Sequence, residues 1–257
     1  MSEQIQDLGQ GFRTIRGSFK IAGMVDVGTQ CSLVEMSNGE FVFLDSYTLP
    51  DEIRDEVYEL TENGRKVSAI INVHPFHTIH CEWMHRAFPQ AKLYGTARHH
   101  RKWPDLPWQD ETCEGTSFPG LFRQDFEFSQ PAGCRLVCED ENVHFSSILV
   151  YHPASRTIHV DDTLSYLDAA FPLSLLPMTG RLDFHPTLGK ALEQRAGAAD
   201  DFREWAYDIG VRWADARQIA AAHNSVVELE PESFPDRIGE ALGRVKKTLD
   251  EHREKYG

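Results

Sequence analysis

The chain is 257 residues long, with 26 Lys and Arg against 40 Asp and Glu, a formal net charge of −14. Hydrophobic residues make up 41% and charged residues 26%, enough apolar side chain for a sizeable core, which excludes disorder, collagen and coiled-coil arrays as the main architecture. The acidic balance repels phosphate backbones, and the longest basic cluster, Arg98-His99-His100-Arg101-Lys102, reads as a solvated helix end, so no nucleic-acid partner is expected.

The N-terminal residues show no basic region followed by an apolar stretch, so no secretory signal is expected. No run approaches the ~18 apolar residues of a membrane span, so no membrane partner is expected either. The five cysteines, Cys31, Cys81, Cys113, Cys134 and Cys138, are odd in number and scattered. They read as reduced thiols of a cytoplasmic protein. Cys134 and Cys138 lack a second pair to complete a zinc site and read as buried apolar side chains.

In chain order, residues 18–45 look like β structure. Cys31-Ser-Leu-Val-Glu-Met36 is a strand, Ser37-Asn38-Gly39 a hairpin turn, and Phe41-Val-Phe-Leu44 the returning strand, ending at Asp45-Ser46. Thr48 is a candidate helix cap with an acid three residues on. Ile53, Val57 and Leu60 then recur at helical spacing, and Asn63-Gly64 closes that helix. Val67-Ser-Ala-Ile-Ile-Asn-Val73 is fit for a buried strand. A helix is expected over residues 78–87, stopped by Pro89, and Ala91-Lys-Leu-Tyr-Gly95 reads as another strand. Residues 103–130 are loop-rich, either a functional rim or a packed surface loop; Trp103, Trp108 and Phe118 there either line an apolar mouth or anchor packing.

Residues 146–162 repeat the opening theme: Ser147-Ile-Leu-Val-Tyr151, a turn at Pro153-Ala-Ser155-Arg156, then Thr157-Ile-His-Val160 ending at Asp161-Asp162-Thr163. Strand, turn, strand, Asp, hydroxyl thus occurs twice, which hints at two related halves. Residues 199–215 are helical with Phe202, Trp205, Ala206 and Ile209 on one side, and residues 218–222 form a short strand or loop before His223. Pro235 opens a last helix whose stripe of Ile238, Leu242, Val245 and Leu249 is core packing. No linker-like break appears, so residues 1–257 are expected to form one domain.

Three histidines, His74, His77 and His80, follow the apolar strand ending at Val73. The carboxyl end of a strand is where α/β folds place their sites. Several imidazoles close together suit zinc, iron or nickel, and the alternative is a set of hydrogen-bonded histidines on a polar loop.

Residues 25–94 resemble the metallo-β-lactamase superfamily: an opening hairpin ending in Asp, a helix, an apolar strand, a His-x-His-x-Asp-His motif, a helix, a proline and a further strand. In that register this chain reads Asn72-Val-His74-Pro-Phe76-His77, keeping two of the four metal positions. His144 stands within one residue of the family's next His, Asp162 matches its bridging Asp, Asp161 takes the place of the Gly before it, and His223 matches its C-terminal His. The resemblance implies an α/β fold, the four-layer αββα sandwich, with the site at the edge between two sheets. It implies a metal site, and with ligands lost at Asn72 and Phe76 one divalent metal ion, zinc or iron, is expected, held by a subset of His74, His77, His144, Asp162 and His223, with His80 able to replace a lost ligand. His80 and Asp162 are the catalytic candidates, Asp161 is a further one for proton relay, and Asp45 supports the site through hydrogen bonds.

The function this implies is mononuclear, metal-dependent hydrolysis of a small-molecule ester, thioester, lactone or phosphodiester. The loss at Asn72 and Phe76 keeps two other classes open: a catalytically inactive binding or structural protein of the same fold, and a non-haem iron redox protein.

Overall fold

Strands β1 (Gln4–Asp7) and β2 (Phe12–Gly17) open a computed structural model that describes residues 4–17, 20–21, 25–26, 29–140, 142–166, 180–221 and 226–257. Two strands of two residues each, β3 (Lys20–Ile21) and β4 (Val25–Asp26), pair antiparallel, and β5 (Thr29–Glu35) and β6 (Phe41–Leu44) follow. Helix α1 (Asp51–Leu60), strand β7 (Val67–Ile71), helix α2 (Cys81–Ala87), strand β8 (Lys92–Tyr94) and helices α3 (Ala97–Lys102) and α4 (Phe118–Leu121) follow. These belong to a first compact unit, residues 1–127 with 152–157.

Its six-stranded sheet runs β1-β2-β5-β6-β7-β8, antiparallel up to β6 and parallel from β6 through β7 to β8. Parallel strands are covered on both faces, and the sequence shows it. Phe41–Leu44 is buried at every position and Val67–Ile71 at all but Ser68, so neither alternates. The hairpin between β5 and β6 turns where expected, with Gly39 at φ +81° and its N–H donated to Met36 O at 2.9 Å. Ile53 and Val57 of α1 and Met84 of α2 bury their apolar faces among Phe43, Ile70 and Phe88, whose ring lies 5.0 Å from that of Phe43.

Two expectations here need correction. Thr48 does not cap α1; the N-cap is Pro50, no side chain satisfies the helix N-terminus, and the Thr48 hydroxyl instead meets His80 Nδ1 at 2.8 Å. Helix α2 begins at Cys81, three residues later than the spacing predicts, because residues 74–80 are held in turns by His77 N–H on His74 O and Thr78 N–H on Phe76 O.

The second unit, residues 128–151 and 158–257, starts at β9 (Glu127–Ser129) and holds β10 (Leu149–His152), β11 (Thr157–Val160), β12 (Leu164–Tyr166), β13 (Leu182–Phe184), α5 (Leu188–Ala191), α6 (Ala198–Arg212), β14 (Gln218–Ala221), β15 (Val226–Glu228) and α7 (Phe234–Tyr256). Its main sheet has the order β15-β14-β11-β10-β9, and β12 pairs antiparallel with β13. The long helices are where the 3.6-residue stripes predict them. Phe202, Trp205, Ala206 and Ile209 of α6 and Ile238, Leu242 and Leu249 of α7 are buried in one cluster, with Val245 packed against it. Gly133 sits at φ +67°, and a Cβ there would lie 2.0 Å from the Ala198 carbonyl oxygen at the start of α6. Gly133→Ala is therefore expected to cost at least ~2 kcal/mol, because neither the backbone angle nor a main-chain oxygen can yield cheaply. Urea unfolding checks it; an unchanged midpoint would contradict the close approach.

All five cysteines are free and buried. Among the described residues, no helix is long and apolar enough to cross a membrane.

Candidate metal centre

The site loop begins where β7 stops. Asn72 continues the strand direction: its backbone N–H and its Nδ2 both donate to Tyr94 O at 3.0 Å, and its Oδ1 accepts the Ser46 hydroxyl at 2.6 Å. The carboxamide is fully buried and engaged at both ends. Asn72 therefore serves as a tie between the ends of β6, β7 and β8, and offers no atom to an ion.

Asp45 shapes the next step. It takes a left-handed conformation at φ +60°, which a short polar side chain tolerates better than most. Its Oδ1 accepts the backbone N–H groups of Val73 (2.8 Å) and His74 (3.3 Å). The carboxylate is fully buried and fixes the main chain on which His74 is mounted, so the supporting role expected of Asp45 has a geometric basis.

His74 and His77 then face each other. Their ring centroids are 4.0 Å apart at 33°, and a ring nitrogen of each lies within 4.8 Å of one of the other. His74 is fully buried and His77 half-buried. The Phe76 N–H points at His74 Nδ1 at 3.3 Å, so an ion at His74 competes with either that contact or the proton on Nε2. Ligation through either nitrogen would therefore cost that weak contact, directly at Nδ1 or through the tautomer change that frees Nε2. Two imidazoles at this spacing match the nitrogen-donor half of a zinc or iron site.

The other two motif positions carry no ligand. Phe76 can neither coordinate nor take a proton, and its ring lies under the Arg98 guanidinium, Cζ 4.6 Å from the centroid. Cys81, behind Asn72, is no substitute. Burial first, then the Asp45 charge, push its thiol up to about 12, so it stays protonated. Of the four motif positions, His74 and His77 thus carry side chains able to ligate, and Asn72 and Phe76 do not.

His80 and His99 flank the pair. Burial, then repulsion from His77, pushes His80 down to about 4, so it is neutral at pH 7. His99 was read as part of a solvated helix end, yet it is fully buried. Thr96 N–H donates to its Nδ1 at 3.1 Å, which leaves the proton on Nε2 to donate to His77 O at 3.4 Å. Burial is the main reason its pKa falls to about 3, with the charges of His74, His77 and His100 adding. Both rings titrate near 6.5 when unfolded and lower when folded. Stability is therefore full above pH 6.5 and falls as the pH drops toward 4 for His80 and 3 for His99, by up to ~1.4 kcal/mol per pH unit for His99. Urea midpoints of metal-free protein at pH 7, 6 and 5 should decline, and less steeply in His99→Gln. A flat profile would contradict the buried neutral pair.

In the second unit, Asp161, Asp162 and Thr163 follow β11. The Thr163 hydroxyl accepts Ser147 N–H at 2.9 Å and donates to Phe145 O at 3.0 Å, fastening this turn to the segment that carries His144. Asp162 is nearly buried and His144 half-buried. His159 and Asp161 are fully buried, with ligand atoms within 4.8 Å of each other. Their spacing of two along an extended segment puts both on one face. His223 lies outside the described residues.

Of the two readings left open for Trp103, Trp108 and Phe118, their contacts are those of packing anchors. Trp103 Nε1 donates to Thr78 O (2.7 Å), Trp108 Nε1 to Trp103 O (2.8 Å), and Phe118 is buried against Tyr94 and Phe122.

Neither a family model nor a curated protein matches the sequence. Solved structures do. A metallo-β-lactamase from Hirschia baltica is 11% identical over 93% of this chain and 98% of its own, with a TM-score of 0.59. One from Erythrobacter litoralis is 14% identical over 92% and 96%, TM-score 0.57. The metallo-β-lactamase FIM-1 from Pseudomonas aeruginosa, in a mono-zinc form, is 12% identical over 95% and 96%, TM-score 0.57. At such identities it is the architecture that is shared: the chain has the α/β fold of the metallo-β-lactamases.

Proposed function

We propose that the protein is a metal-dependent hydrolase with a single divalent ion, zinc or iron. His74 and His77 hold the ion, and Asp162, His144 and His223 are the remaining donors that the resemblance assigns. The observation that carries this reading is the facing pair of imidazoles at the carboxyl end of β7, mounted on a main chain fixed by Asp45. The mono-zinc form of FIM-1 supports it, since one ion is a recorded state of this fold. A bound ion would supply Lewis acidity and lower the pKa of a coordinated water toward ~7.

The chain's own residues would do the rest. Asp45 and His99 orient the His74–His77 loop. His80 is neutral at pH 7, and in the tautomer whose Nδ1–H donates to Thr48 Oγ1 its Nε2 is the atom that would accept a proton. The substrate class is an ester, thioester, lactone or phosphodiester. A panel of these four tests the reading. Activity on at least one, lost on chelation and restored by zinc or iron, is expected; activity untouched by chelation on every substrate, or none at all, would overturn it.

A second reading, a binding protein of this fold without catalysis, draws on Asn72 and Phe76. Both occupy former metal positions, and one is locked into a structural hydrogen-bond network while the other is covered by a guanidinium. Metal bound without turnover on the panel would favour it, and bound iron with visible absorption would favour a redox role.

A further inference from the structure

A cavity of about 630 Å³ opens on the start of β7, at the other end of that strand from the histidines. Small-molecule sites span about 300–1,000 Å³, so it has room for a ligand. Its shape follows from the sheet. On β8, Leu93 joins the helix-covered core, so Lys92 and Tyr94 project from the opposite face. Ala69 pairs with Lys92 in the ladder, and its small side chain leaves the space open. The facing wall is residues 120–125 after α4. It is tied to the β5–β6 hairpin by Ser37 N–H, which donates to Asp125 Oδ1 at 2.7 Å.

Three cations and two carboxylates line this space. Asp125 is engaged by Ser37, Glu40 accepts Asn38 Nδ2 at 3.1 Å, and Arg65 pairs with Glu62 at 2.9 Å. Lys92 and Arg123 have no hydrogen-bond or ion-pair partner among the described residues. Tyr94 supplies an independent observation. The residue is only 6% exposed, and its ring is held edge-on by Phe118 and Phe122 at 5.5 and 5.6 Å. Its hydroxyl nonetheless makes no hydrogen bond among the described residues and retains an opening to solvent. Burial, then the Cys113 thiol, raises its pKa, so it remains a donor at pH 7. A phenol so nearly buried is completed by an acceptor that enters the cavity. Leu121, 55% exposed, adds an apolar edge.

We propose that this cavity binds a small phosphate monoester with an apolar body. Lys92 and Arg123 take the phosphoryl dianion, the Tyr94 hydroxyl donates to it, and Leu121 and Phe122 meet the apolar part. Two unspent cations suit a dianion better than a single carboxylate charge, and on a chain of charge −14 a locally positive cavity selects for anions. None of the lining residues belongs to the histidine loop, so the site stands apart from the metal reading.

The test is calorimetry on metal-free protein at low ionic strength, with phenyl phosphate and inorganic phosphate as probes. Phenyl phosphate is expected to bind the more tightly. Lys92→Ala and Arg123→Ala should each weaken it about ten-fold, the worth of one charge-assisted contact. Both residues are exposed, so melting temperatures should not move. Tyr94→Phe keeps the ring contacts and should weaken binding about five-fold. Leu121→Ser should erase the preference for phenyl phosphate, and His77→Ala should bind as wild type does. No binding of either probe, equal affinity in the Lys92 and Arg123 variants and wild type, or loss of binding in His77→Ala would overturn the proposal.

Discussion

His77→Ala is expected to lower zinc affinity by about 10²-fold. Apparent binding free energies of ~10–16 kcal/mol spread over about four ligands give ~3 kcal/mol per ligand, which is that factor. His74→Ala should do the same, since the two rings form the pair. His252→Ala is the control. That imidazole is engaged with Glu193 O at 2.9 Å on the last helix, and its loss leaves affinity unchanged. Competition with a chromophoric chelator measures all three. An unaltered affinity in His77→Ala would remove the ring from any metal site.

Asp45→Ala should be the most destabilising single change near the site. One buried carboxylate oxygen accepts two backbone N–H groups, and hydrogen bonds to a charged acceptor are worth about 1.5–3 kcal/mol each. The expected loss is about 3–5 kcal/mol, a fall in melting temperature of roughly 10 °C for a chain of this size. Asp45→Asn keeps one acceptor and the tolerance for positive φ, and should cost about 1–2 kcal/mol. Metal affinity should fall in parallel with stability in the Ala variant, because His74 is mounted on the main chain that Asp45 fixes. A stable Asp45→Ala variant with full affinity would show that the loop holds itself.

The elements that sequence alone made legible are those with local causes. The β5–β6 hairpin follows from Asn38-Gly39, the buried run of β7 from its lack of alternation, and α6 and α7 from stripes at 3.6-residue spacing. What was missed depends on distant partners. Thr48 has the chemistry of a cap, but His80 lies within its reach in space and claims the hydroxyl. The late start of α2 comes from turn hydrogen bonds that no propensity encodes. His99 belongs to a basic run, and only its bonds to Thr96 and His77 explain why it is buried.

The candidate site divides the same way. His74 and His77 were legible from motif register. The support of Asp45 was implied by the resemblance, although its positive φ was not. That Asn72 is consumed by Ser46 and Tyr94, and that Arg98 covers Phe76, required the structure, because residues far apart in the chain supply the partners. A sequence shows a ligand replaced; it does not show what the replacement now touches.

Metal analysis of protein purified without added metal, repeated after reconstitution with zinc and with iron, bears most directly on the central claim. With X-ray absorption to identify the ligands, the account predicts about one equivalent per chain and imidazole nitrogen in the first coordination sphere. Metal at background after both reconstitutions, or an ion with no imidazole among its ligands, would contradict it.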